Sequence, residues 1–184
     1  MELPKNNFPV KFLNPEAIVD ELEILPGMKV AHFGCGTGYF TFAIAKKVGE
    51  NGLVYALDIL EQKIAIVKSQ ARAYNIGNIN AKRTNLEEKE GSGIETESVD
   101  WVIIVNMLYQ NDKKSSIIGE AKRILKKSGK ILLIDWNDFG GSVGPEKQAR
   151  VSREDVIRII RKHTLGIAKE IEVSNFHFGM VLVK

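Results

Sequence analysis

Residues Val30–Phe40 read VAHFGCGTGYF, and this stretch decides how the rest of the chain is understood. Val30, Ala31 and Phe33 form an apolar strand that runs into three alternate glycines, Gly34, Gly36 and Gly38. The apolar stretch Phe40–Val48 follows at once and reads as a helix. A strand, a glycine turn and a helix in succession bring backbone N–H groups and a helix N-terminus up to a ligand. Glycine suits such a turn because a Cβ would block a tight bend, a close ligand or helix–strand contact. Thr37 is a candidate cap for the new helix. Cys35 inside the turn reads first as a small residue that fits, and second as a reactive thiol.

Spacing separates the candidate cofactors. A dinucleotide turn wants G-x-G-x-x-G, whereas this chain has G-x-G-x-G, with Tyr39 in the last glycine position. The stretch resembles motif I of the class I S-adenosylmethionine (SAM) methyltransferases, usually D/E-x-G-x-G-x-G. The resemblance implies that Gly34, Cys35, Gly36 and Gly38 face the methionine end of SAM. His32 stands where that family has an acid that helps bind the SAM amino group. Two readings of His32 stay open: a tuned cofactor contact, or a mark of weakened binding. Neutral imidazole accepts a hydrogen bond, and the protonated ring repels an ammonium.

Working outward, Leu53–Leu57 is a second buried strand ending in Asp58, about 20 residues beyond the glycine turn, the separation expected of a ribose-binding acid. Asp58 and Ile59 are therefore cofactor candidates, with a helix cap as the alternative for Asp58. An amphipathic helix at Glu61–Tyr74 and a short strand at Ile79–Thr84 lead to Asn85-Leu86. The resemblance places an acid or amide there, near the adenine; Asn85 fits that role and that of a loop cap equally well. Strand Ser98–Val105 then runs into Asn106-Met107-Leu108-Tyr109, which corresponds to motif IV. It lacks the paired prolines of the exocyclic-amine methyltransferases. Asn106 and Met107 are expected to line the cofactor, and Tyr109 to face the substrate, with an ordinary core residue as the alternative for Tyr109.

Lys113–Lys127 reads as a helix capped by Ser128-Gly129, followed by a strand at Lys130–Ile134. Lys126–Lys130 resembles the family's L-K-P-G-G turn without its proline. Asp135, Trp136, Asn137 and Asp138 then fall at the strand's carboxyl end, in ligand-binding position for an open α/β sheet, and Trp136 is a substrate candidate. Residues 139–152 form a glycine-rich loop with the character of a lid. The run from Gly144 to Val156 resembles a segment of the small-molecule methyltransferases of the ubiquinone/menaquinone and arsenite types. Arg150 is a candidate for gripping an anionic substrate, against the common alternative of a solvated loop arginine. Ser152 caps a last helix, Arg153–His163. Ile167–Val173 and Phe178–Val183 alternate as an antiparallel hairpin.

Before the glycine turn, Met1–Leu13 is an irregular arm, and Asn14-Pro15 starts a helix with an Ile18, Leu22, Leu25 stripe that ends at Pro26-Gly27. The resemblance implies that this leading segment covers the substrate mouth, with Phe8 and Phe12 as contacts; the alternative is a helix packed on the sheet edge. The expectation is a single doubly wound, Rossmann-like α/β domain over residues 1–184, with a seven-stranded mixed sheet ending in the hairpin.

Composition sets wide limits. The chain has 184 residues, a net charge of +3 and one cysteine, which excludes an internal disulfide framework. There is no signal-peptide pattern and no apolar run of spanning length, so a cytoplasmic location is expected. No spaced ligands predict a metal site. The implied cofactor is SAM and the implied partner a small-molecule methyl acceptor, with Tyr39, Tyr109, Trp136 and Arg150 as its contacts and no general base identified. One rival is an RNA or protein methyltransferase, encouraged only by Arg153, Arg158, Arg161 and Lys162 on the last helix. The other is a non-catalytic subunit of the same fold that works with a partner. An NAD-linked enzyme ranks below both.

Overall fold

A computed structural model describes residues 10–138 and 143–184. Seven strands form one sheet: β1 (Lys29–Phe33), β2 (Leu53–Asp58), β3 (Ile79–Arg83), β4 (Val99–Val105), β5 (Leu125–Trp136), β6 (Gly166–Ser174) and β7 (His177–Val183). Their order is β3-β2-β1-β4-β5-β7-β6. The first five strands pair with one another in parallel, and β7 runs antiparallel to both β5 and β6. This is the expected doubly wound mixed sheet with its closing hairpin.

Period-two alternation sends the strand residues to two apolar layers. On one face Val30, Trp101, Ile103, Leu132 and Ile134 pack with α1 (Pro15–Asp20) and α2 (Tyr39–Val48). A smaller group on β2 and β3, Ala56 and Ala81, receives Ile64 and Val67 of α3 (Glu61–Ala73). On the other face Ala31, Phe33, Val102, Ile104, Ile131 and Leu133 meet α4 (Lys114–Ile124) and α5 (Arg153–Lys162). The chain reverses its winding between β3 and β4, so the carboxyl ends of β1 and β4 flank the switch point where open α/β sheets bind ligands.

Three local expectations are corrected. The first helix stops at Asp20: the chain leaves it through a turn at Glu21 and Leu22, burying Leu22 and Ile24 while Leu25 is exposed. The indole of Trp101 donates to the Glu23 carbonyl (3.3 Å), and the Glu23 carboxylate pairs with Lys130, so a helical turn there would lose both partners. The fourth helix ends at Ile124, and the residues expected to extend and cap it open β5 instead. Val99 pairs with Leu125 and Trp101 with Lys130, so β5 carries a bulge that accommodates Gly129 against the Leu125 side chain. Thr37 does not cap α2. The cap position belongs to Gly38, at φ +96°, and makes no side-chain bond. Asn14 and Ser152 do cap, accepting from the backbone N–H of Ala17 (3.1 Å) and Asp155 (3.0 Å).

Candidate cofactor cleft and its rim

The glycine turn is tied both to β2 and to itself. Cys35 N–H donates to the Leu57 carbonyl (2.9 Å), fastening the turn to β2, and Gly38 N–H donates to the Cys35 carbonyl (2.9 Å). Gly34, Gly36 and Gly38 all have positive φ, at +65°, +54° and +96°. Their free sides differ. A Cβ on Gly38 would lie 2.5 Å from the Phe42 ring, so that glycine serves helix packing. A Cβ on Gly34 would press on Met107 at 3.1 Å, whereas one on Gly36 would meet nothing within 4 Å.

That open side faces a cleft of about 270 Å³ lined by Gly34, Gly36, Asp58 and Ile59 from the carboxyl ends of β1 and β2. Asp58 organises this edge: one carboxylate oxygen accepts from Gly36 N–H and the other from Leu60 N–H, both at 2.9 Å. Each oxygen keeps lone-pair capacity, so the same carboxylate can take a ligand's hydroxyls. Asn85, Leu86 and Met107 complete the walls that the sequence pointed to. The Asn85 carboxamide also ties its own loop, donating to Glu88 (2.9 Å) and accepting from Glu87 N–H (3.1 Å).

Sequence reasoning missed Leu60, Lys63, Thr84, Gln110 and Asn111, which line the same cleft. Thr84 carries the strongest signal among them. Its hydroxyl is buried and has no hydrogen-bond partner. Gln110 closes a short 3-10 turn, Leu108–Gln110, and Asn111 follows it; no residue pattern announces that turn.

Other predicted cofactor residues lie behind the cleft wall. The buried His32 ring shares a 2.8 Å hydrogen bond with the Thr41 hydroxyl and sits edge-on to Phe40, turned towards α2. Burial pushes its pKa down to about 3, so the ring is neutral at any ordinary pH. Burial, then the charge of Asp58, pushes the Cys35 thiol up to about 12, which makes it inert as a nucleophile. Asn106 adopts φ +51° and swings the chain out of β4; its buried side-chain oxygen has no partner.

The four substrate candidates divide, and two of them meet on the rim. Tyr109 and Arg150 line one groove of about 680 Å³ on the far side of the 108–110 turn. Arg150 caps the ring of Trp136 at 5.7 Å and donates to the carbonyls of Pro145, Asn137 and Val143 at 3.0, 2.6 and 2.7 Å. It thus organises the loop. Trp136 stacks on His177 with centroids 4.1 Å apart, and the Trp136 indole N–H and His177 Nε2 are both buried without partners. Burial and then the Arg150 charge lower the His177 pKa to about 4. Tyr39 stands apart, 63% exposed, its hydroxyl donating to the Leu13 carbonyl (3.1 Å). The described end of the arm is fastened to the hairpin: Lys11 N–H donates to the Asn175 side chain (2.6 Å), Asn175 N–H returns to the Lys11 carbonyl (3.0 Å), and Phe12 lies 5.4 Å from Phe176. Phe8 and residues 139–142 lie outside the described residues.

Among the described residues no cluster of three or more His, Cys, Asp or Glu is placed to hold a metal ion, and no helix is long and apolar enough to cross a membrane.

Comparison with known proteins gives this geometry a family. The chain is 29% identical over 114 residues to a demethylmenaquinone methyltransferase of Bacillus mycoides, covering 62% of this chain and 47% of that protein. It therefore spans about half the length of the curated relatives it matches. Its fold superposes on a SAM-dependent methyltransferase from Aquifex aeolicus with a TM-score of 0.84 at 22% identity, covering 92% of this chain and 89% of the other. An arsenic(III) SAM methyltransferase from Chlamydomonas reinhardtii gives 0.73 at 22% identity, covering 88% and 65%. The sequence pattern of the family described as "Methyltransferase domain" matches residues 24–171. With its glycine turn, Asp58 and antiparallel β7, the chain belongs to the class I SAM-dependent methyltransferases.

Proposed function

We propose that the protein transfers a methyl group from SAM to a small-molecule acceptor. The observation that carries this reading is the pairing of Gly36 and Asp58: a left-handed glycine with an open side, held to an acid whose oxygens keep accepting capacity, at the switch point of the sheet. The residues present fit SAM. Asp58 would hold the ribose hydroxyls and Gly34 and Gly36 would let the chain backbone approach. Ile59, Leu86 and Met107 offer apolar walls, with Asn85 beside Leu86 able to reach a base edge. The buried Thr84 hydroxyl supplies a polar group that still wants a partner.

The bound sulfonium would supply an already activated methyl, so the chain's task is alignment and exclusion of water. Met107 and the residues around it close one side of the cleft, and Tyr109 and Arg150 face the groove beyond it. Support for a small acceptor comes from the quinone-type relatives and from the modest size of that groove. On α5, Arg153 pairs with Glu170 and Arg158 with Asp155, which reduces the free positive charge a nucleic acid would need.

Calorimetric titration with SAM, S-adenosylhomocysteine (SAH) and NAD in parallel tests the reading. Micromolar binding of the first two without NAD, followed by transfer of labelled methyl to a quinol or catechol panel, is the expected result. Silence from all three ligands overturns it.

A further inference from the structure

We propose that Asp135 is a positioning residue, holding the 108–110 turn in place as the wall between the cofactor cleft and the Tyr109 groove. The inference rests on the cleft being the cofactor site. Asp135 is fully buried at the carboxyl end of β5. One of its oxygens accepts from Leu108 N–H (2.9 Å) and Tyr109 N–H (3.3 Å), and the other from Trp136 N–H (2.9 Å). The first two donors open the 3-10 turn, where no carbonyl of the turn itself can reach them. Asp135 thus caps that turn from a neighbouring strand.

The turn is locked at its other end by its own side chains. Gln110 donates to the Asn106 carbonyl (3.1 Å) and Asn111 to the Met107 carbonyl (2.7 Å). Between the two fastenings, Met107, Gln110 and Asn111 face the cleft while Tyr109 faces the groove. A shift of the turn therefore alters both spaces together.

Burial raises the Asp135 pKa to about 6, against the opposing effect of the three N–H donors and of Lys114. The titratable and charged groups facing it are Tyr109 on the turn and Lys114 on α4; its partner on β7 is Phe178, which carries no charge. A buried acid raised in this way opposes folding at neutral pH, and an apolar residue would serve packing better. What the ionised form adds is strong, directed acceptance, since charge-assisted bonds are roughly twice as strong as neutral ones.

The test is amide exchange by NMR on the ligand-free protein, corrected for intrinsic rates, with SAH affinity measured alongside at pH 5 to 8. Protection of Leu108 and Tyr109 is expected to fall on the order of tenfold on acidification, with SAH affinity falling in step. Asp135→Asn is expected to show the weakened values at every pH. Flat protection in the unsubstituted protein overturns the proposal even if the variant does not fold. So does a variant that keeps full protection and SAH affinity at pH 8 and changes only its thermal midpoint. Should SAH fail to bind at any pH, the cofactor reading of the cleft falls, while the exchange data still decide whether Asp135 holds the turn.

Discussion

Acid should destabilise this protein through His32, and His32→Asn should remove that sensitivity. The imidazole is neutral and buried when folded, with its pKa lowered from 6.5 to about 3. In the unfolded chain it takes up a proton below pH 6.5. Between those values the unfolded state binds the extra proton, so stability falls as pH falls, by about 1.4 kcal/mol per pH unit. His177, lowered to about 4, acts with the same sign. Asp135, raised to about 6, acts with the opposite sign between there and its ordinary 3.8, because the folded state then holds the additional proton. The three effects leave a net loss of about 1.4 kcal/mol per unit from pH 6 down to 4. Asparagine retains a polar atom for Thr41 but cannot titrate. Its smaller volume should cost about 1–2 kcal/mol at pH 7. The two stability curves should therefore converge on acidification and cross near about pH 5.5. Urea unfolding followed by tryptophan fluorescence, at half-unit steps from pH 7 to 4.5, measures this directly. A variant whose slope matches the parent's would refute the assignment of a buried neutral ring. SAH affinity at pH 7.5 should change less than about threefold, since His32 faces α2 rather than the cleft.

The glycines of the turn should separate experimentally. Gly38→Ala drives a Cβ into Phe42 and should cost about 2–4 kcal/mol in urea unfolding, whereas Gly36→Ala should cost only about 1–2 kcal/mol for its left-handed backbone yet abolish measurable SAH binding. Asp58→Ala removes the acceptor for both Gly36 and Leu60 and should weaken SAH binding at least about 100-fold by calorimetry; an unchanged affinity would detach Asp58 from the cofactor.

The fold was readable because its signals are local. Alternation in β1, β4 and β5, glycines at left-handed positions, and caps at Asn14 and Ser152 each act within a few residues. The start of β5 was not readable, since Lys-Lys-Ser-Gly has the composition of a helix end and only its partner Val99 makes it a strand. In the site, Gly36 and Asp58 stood out through their spacing. His32 illustrates the limit: its place in the motif suggested the cleft, but alternation with Ala31 and Phe33 puts it on the α2 side of the sheet, where Thr41 waits. Thr84, Gln110 and Asn111 were missed because loops bring them to the cleft, and loop paths depend on distant anchors such as Asp135.

The position of β7 between β5 and β6 has a consequence for how the sheet is made. Among the described residues β6 pairs with no strand other than β7, so until His177–Val183 has emerged from the ribosome, β6 has no seat and the outer edge of β5 stays bare. Uncovered edges of this kind recruit other chains. A frameshift or nick within β7 would therefore dislodge two strands rather than one and move the sheet's open edge from β6 to the buried, apolar β5.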